Sequence, residues 1–317
     1  MNLMGAKLDT ILTGYARLLG APTESFIADK AFPVVDVPTK SGQFYNVAGG
    51  FGAASPGSRP IITDGKPAPD VIDVAVSRIT GWEVDLNGVG VQVSAHSAEY
   101  LSGNGLDLEQ AKVAVLNRYN YILRERIAAG IAFSATVFSG YTAALAAADR
   151  WDVSTSDPVG DAQDAIDLVQ KATGERPNSL IVGYSVHKAL RQHPAILEFL
   201  SRTVRTTGLV SESDIAQALD IQNYYVGGAV ANSAVEGQTA TNAYIWGNSA
   251  LFCTLRPSPQ AMTPQSALQR WRFRGSQDGS VMRWQPTPYM TQLDQLWNDQ
   301  FGAPTPAAGY LYTTVTA

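Results

Sequence analysis

Residues 151–178, WDVSTSDPVGDAQDAIDLVQKATGERPN, carry the signals of a helix start, a helix end and a strand in one unbroken run. Asp157 offers a carboxylate to the open amides of a helix start, and Pro158 is pre-set for the first helical position. Ala162, Ile166, Val169 and Thr173 then share one face until Gly174 ends the run. Arg176, Pro177 and Asn178 turn the chain into Leu180, Ile181 and Val182, a continuous apolar run that predicts a buried strand. A capped helix feeding a buried strand is scaffold, and no part of it presents a reactive group.

Outward from this unit, His193 caps the helix that Pro194 starts, with Ile196, Leu197, Phe199 and Leu200 along it. Ser211 caps another helix, with Val210 and Ile215 placed as a hydrophobic staple. Extended segments are expected at 221–226, 243–246 and 250–255. Cys253, the only cysteine, lies in the last of these and reads as a core thiol. Further strands are expected at 268–273, 281–284 and 310–315, with a polar stretch before the last.

Toward the N-terminus, Leu8, Ile11, Leu12, Tyr15, Leu18 and Leu19 stand at helical spacing, an amphipathic helix that must dock on its own body or on a neighbour. Residues 49–69 hold five glycines and four prolines between extended flanks at 43–47 and 71–80, which predicts a long loop. From about residue 106 to 132 the chain predicts its longest helix, with Leu116, Tyr119, Leu123, Ile127 and Ile131 on the inward stripe, widened by Ala111, Val115 and Ile122. Arg118, Arg124, Glu125 and Arg126 fall on the remaining surface, as a solvated face or as ion pairs between subunits.

The order of these features resembles tailed-phage major capsid proteins of the Hong Kong 97-type fold. The resemblance rests on the opening unit, then Leu190, His193, Pro194, Gly227, Ile245, Trp246 and Gly247, the arm-like segment 26–47, and the final Gly309, Tyr310 and Leu311. It implies an α+β chain with an N-terminal arm at 1–45, an extended β-hairpin loop at 46–82, and a peripheral domain at 83–150 built on a spine helix at about 106–132. A central axial domain at 151–256, a return to the peripheral domain at 257–306 and a C-terminal strand at 307–317 complete it. Gly50, Phe51, Gly52, Arg59 and Lys66 of the loop, with Phe32 and Pro33 of the arm, become the expected contacts between subunits.

The resemblance further implies a shell of hexamers and pentamers around double-stranded DNA bound without sequence preference, with portal and decoration proteins as partners. The arm begins so near Met1 that a separately encoded scaffold, or none, is expected. Some shells of this fold join subunits by a lysine–asparagine cross-link, for which Lys66 is the loop's one candidate. Synthesis in the host cytoplasm and residence in the virion follow, with no membrane partner. A cellular nanocompartment shell shares the fold, and a soluble hydrolase with an unrecognised triad is the reading from a different class.

Composition is in keeping with a shell. Only 16% of residues are charged while 45% are hydrophobic, so much of the surface is expected to be covered by subunit contacts; a β-rich domain with polar uncharged loops is the plainer alternative. A net charge of -5 argues against a protein whose main task is gripping phosphates. No apolar run approaches the ~20 residues of a membrane span or resembles a signal peptide. His96, His187 and His193 with one cysteine make a poor metal set. Gly50, Gly52 and Ser55 fall short of a dinucleotide fingerprint, and neither a Walker lysine nor a G-x-S-x-G elbow occurs. No catalytic residue and no cofactor are therefore expected.

Overall fold

A computed structural model describes residues 7–19, 25–48, 75–102, 107–203, 210–232, 234, 238–239, 241–256, 266–274 and 279–317. In chain order the elements begin β1 (Lys7–Leu8), α1 (Thr10–Leu19), α2 (Ala28–Ala31), β2 (Val34–Val37), β3 (Ser41–Ala48), β4 (Ala75–Glu83), β5 (Leu86–Ser94), α3 (Ala95–Ser102) and α4 (Leu108–Ala132). They continue β6 (Thr142–Ala144), α5 (Pro158–Thr173), β7 (Ser179–Gly183), α6 (Tyr184–Gln192), α7 (Pro194–Thr203), α8 (Glu212–Ala218), β8 (Asn223–Gly227), β9 (Val230–Asn232) and β10 (Asn242–Tyr244). The chain ends with β11 (Ala250–Cys253), β12 (Gln269–Phe273), β13 (Ser280–Thr287), β14 (Met290–Gly302) and β15 (Gly309–Thr313).

The opening unit folds as its residues dictate. Asp157 accepts the Gly160 amide at 3.0 Å, Pro158 starts α5, and Gly174 closes it in the left-handed region at φ 75°. All five residues of β7 are buried. β7 lies inside a sheet of order β6-β15-β11-β7-β8, parallel to β8 and antiparallel to β11. Period-two alternation divides this sheet between two cores. Leu180, Val182, Ala250, Phe252 and Tyr312 face α5 to α8, whereas Ile181, Leu251, Cys253 and Leu311 face Phe138, Ala128 and Trp246. Each large apolar side chain buried here contributes about 1.5–3 kcal/mol.

A second sheet has the order β1-β13-β14-β12-β2, with β5 also on β14. β14 is its centre, pairing along its first nine residues with β5 and at its far end with β12. The long helix α4 crosses this sheet, and α1 packs on α4 and β13 around Leu12, Ala16, Val113, Val281 and Leu293. β3 and β4 form a separate antiparallel hairpin from Ser41↔Glu83 to Ala48↔Ala75, leading into the residues expected to be the extended loop.

Several caps occur as expected. His193 Nδ1 accepts the Ala195 amide at 3.2 Å, and Ser211 forms a capping box with Asp214 while Val210 and Ile215 are both buried. Cys253 is fully buried, and burial pushes its thiol pKa well up.

Other expectations need correction. The expected stripe of α4 is only partly inward: Leu116 is buried and Ile122, Leu123 and Ile131 are half-buried, but Val115, Tyr119 and Ile127 are exposed at 69%, 50% and 52%, while Val113, Asn117, Asn120 and Glu125 are buried. Polar partners on the sheet make this orientation the stable one, since Gln295 accepts from Asn120 and donates to Asn117. In α1, Leu12 points inward but Ile11 and Leu18 are exposed. The polar stretch before the final strand is β14 itself, and the strand β5 and helix α3 have no counterpart in the sequence reading.

Candidate functional site

The arm, the long helix and both sheets meet at one buried junction. Among the described residues no group of three His, Cys, Asp or Glu side chains could hold a metal ion. No described helix is long and apolar enough to cross a membrane.

α2 places Asp29 beside two arginines from different elements. Arg124 on α4 approaches Asp29 at 2.8 Å and Asp299 on β14 at 3.4 Å. Arg270 on β12 reaches the same carboxylates at 2.9 and 2.6 Å. Both guanidiniums also approach the Phe301 ring, at 5.8 and 5.6 Å from its centroid. Phe301 meets Phe32 edge-on at 5.2 Å. Two cations and two anions thus neutralise one another around an aromatic pair, and this joins the arm to helix and sheet.

One helical position on from Arg124, Glu125 is only 2% exposed. Its carboxylate accepts the Ala28 amide at 2.7 Å and the Trp246 indole N–H on its other oxygen. Burial raises its pKa from the usual 4.5 to about 7, against the opposing pull of these donors. Trp246 is fully buried, and its side chain lies where a Cβ at Gly227 would fall.

The expected contact residues separate into three groups. Gly50, Phe51, Gly52, Arg59 and Lys66 lie outside the described residues. Phe32 is fully buried in this chain's own core, so its expected role between subunits is corrected; the half-buried Pro33 gives its carbonyl to the Arg270 amide at 3.0 Å. On α4, Arg118 is exposed, Arg126 donates to the Asn232 carbonyl at 2.8 Å, and Arg124 pairs within the chain. Glu125 is buried rather than on the surface. Asp29, Arg270 and Asp299 were not singled out by the sequence, because their partners lie up to 241 positions away; Trp246 was, though not as a partner of Glu125.

A serine and a histidine do come together: Ser156 Oγ is 3.2 Å from His193 Nε2. His193 Nδ1 accepts a backbone amide, so Nε2 carries the proton, and it lies 3.0 Å from the Val153 carbonyl. That nitrogen is a donor and is no base for the hydroxyl. His187, in contact with the Tyr224 hydroxyl at 3.1 Å, has its pKa lowered to about 4 by burial.

No protein-family model matches the chain. The chain is 25% identical over 230 residues to the major capsid protein of Burkholderia phage BcepMu, across 70% of this chain and 69% of that protein. A phage-related protein from Bordetella bronchiseptica RB50 has a similar crystal structure, with TM-score 0.73 and 20% identity over 98% of this chain and 99% of the other. The capsid structure of cyanophage P-SCSP1u matches with TM-score 0.52 and 12% identity over 89% and 86% of the two chains. The chain is thus similar in sequence to phage major capsid proteins, and its α+β architecture is the Hong Kong 97-type capsid fold.

Proposed function

We propose that this protein is the major capsid protein of a tailed bacteriophage, assembling as hexamers and pentamers into the icosahedral shell that encloses the genome. The observation that carries this reading is the similarity to a phage major capsid protein over 230 residues, joined to a fold match along almost the whole chain. Its work is assembly rather than catalysis. Each subunit shares several interfaces, and contacts that are individually weak hold a closed shell when every subunit makes many of them.

In this reading the hairpin of β3 and β4 carries Gly50, Phe51, Gly52, Arg59 and Lys66 over an adjacent subunit, and Arg118 on α4 faces a neighbour. The boundaries set out from the sequence, from the arm at 1–45 to the C-terminal strand at 307–317, are proposed as the working parts. A separate scaffold, portal and decoration proteins are the proposed partners, with double-stranded DNA inside and the virion as the final location. The test is the content of particles recovered from cells that carry the gene. Nuclease-protected double-stranded DNA inside tailed particles is expected. Particles filled with a cargo enzyme instead would overturn the reading in favour of a nanocompartment shell.

A further inference from the structure

Four arginines from three elements line one pocket of about 260 Å³ between α1, α4, β12 and β14. Arg17 comes from α1, Arg124 from α4, and Arg270 and Arg272 from β12. The other described residues of its wall are uncharged, among them Tyr121 and Asn120. The carboxylates that answer these cations stand elsewhere. Arg124 and Arg270 reach Asp29 and Asp299, and Arg272 reaches Asp36 at 2.7 Å, yet none of these aspartates is part of the described lining. The wall is therefore cationic, and its counter-charges lie outside it.

Two buried atoms of these lining residues have no hydrogen-bond partner among the described residues. Arg124 uses its Nη2 for both aspartates, and its Nε–H has no acceptor. Asn120, one turn earlier on α4 and only 3% exposed, donates its amide to Gln295, while its Oδ1 receives no donor. Buried polar groups are ordinarily satisfied. Here one atom calls for an acceptor and the other for a donor.

We propose that this pocket binds a tetrahedral oxyanion, inorganic phosphate in its hydrogen phosphate form. Planar guanidiniums pair with phosphate oxygens as forks, and four of them suit a dianion with several oxygens better than a carboxylate with two. Hydrogen phosphate also carries a hydroxyl, so one ion supplies an acceptor for the Arg124 Nε–H and a donor for Asn120 Oδ1. A water molecule takes about 30 Å³ of liquid, so the pocket has room for the ion and several waters. The side chains of Arg124 and Arg270 are only 14% and 8% exposed, so salt screens them little. A nucleic-acid phosphate is a diester without that hydroxyl, and it fits the pair of atoms less well. The bound ion ties the N-terminal helix α1 to α4 and β12, whatever the subunit builds.

Thermal unfolding of the full chain against sodium phosphate near neutral pH, with sodium chloride holding the ionic strength constant, reads the site. The melting temperature is expected to rise and then saturate, as binding to the folded state requires, whereas general salting-out does not saturate. Sulfate, of similar shape without the hydroxyl, should bind several-fold more weakly. Arg17→Glu, at an exposed position of α1, and Arg272→Gln should each raise the apparent Kd by about tenfold or more, the effect of losing a hydrogen bond to a charged group, and still melt near wild type in chloride. A response that never saturates, equal affinity for sulfate, or unchanged affinity in both arginine variants would each overturn the proposal. Displacement of phosphate by a short DNA duplex would also overturn it, and would give the pocket to a nucleic-acid backbone.

Discussion

Arg270 and Asp299 form an ion pair at 2.6 Å between adjacent strands, with 8% and 3% of their side chains exposed. Removing one partner leaves the other charged and buried, which costs about 3–5 kcal/mol. Asp299→Ala is therefore expected to be strongly destabilising. Asp29→Ala, which contacts the same arginines from a carboxylate 47% exposed, should cost only about 1 kcal/mol. Urea unfolding of the dissociated subunit compares the two, and equal losses would mean that burial does not govern this cluster.

Gly183 lies where the chain leaves β7 for α6, and a Cβ there would fall on the carbonyl oxygens of Trp246 and Gly247. Backbone cannot move aside as a side-chain tip can. Gly183→Ala is expected to lower stability by about 3 kcal/mol, the upper end for overpacking. Gly130→Ala, where a Cβ meets nothing within 4 Å, should be neutral or stabilising. Thermal unfolding of the two variants side by side checks the contrast.

Ile11 and Leu18 lie seven residues apart on α1 and are 78% and 85% exposed. A face so apolar on an isolated subunit is expected to be covered by a neighbour in the shell. Ile11→Ser with Leu18→Ser should leave subunit stability within about 0.5 kcal/mol and reduce the yield of closed particles. Particle yield equal to wild type, measured by sedimentation, would show that the face stays in solvent.

His187 should make the subunit acid-sensitive, opposite in sign to Glu125. Its folded pKa of about 4 lies below the usual 6.5, so the unfolded chain binds the proton first. Stability from this site is present above pH 6.5 and is lost as pH falls through about 4. His187→Gln should flatten that part of the stability profile, read as the urea midpoint against pH.

Legibility in the sequence followed the physical nature of the signal. α5 and β7 were readable because Asp157, Pro158 and Gly174 act on their immediate neighbours and the apolar run of β7 needs no partner to interpret. β14 was not, because its buried face alternates Leu293, Trp297 and Phe301 with Gln295 and Asp299. Those two polar groups are at home inside only because Asn117, Asn120 and Arg270 meet them from other elements. The same cause rotated the buried face of α4 away from part of its apolar stripe: Tyr119 and Ile127 look like core by hydrophobicity, while Asn120 and Glu125 are core by partnership. The buried junction was out of reach for that reason, since a long-range polar partner leaves no local periodicity.

Electron microscopy of the purified full chain, produced alone and together with the products of its neighbouring genes, shows whether the subunit builds a shell. Closed shells, or rings of five and six subunits, are the predicted result. A uniform 33.9 kDa monomer under both conditions would contradict it.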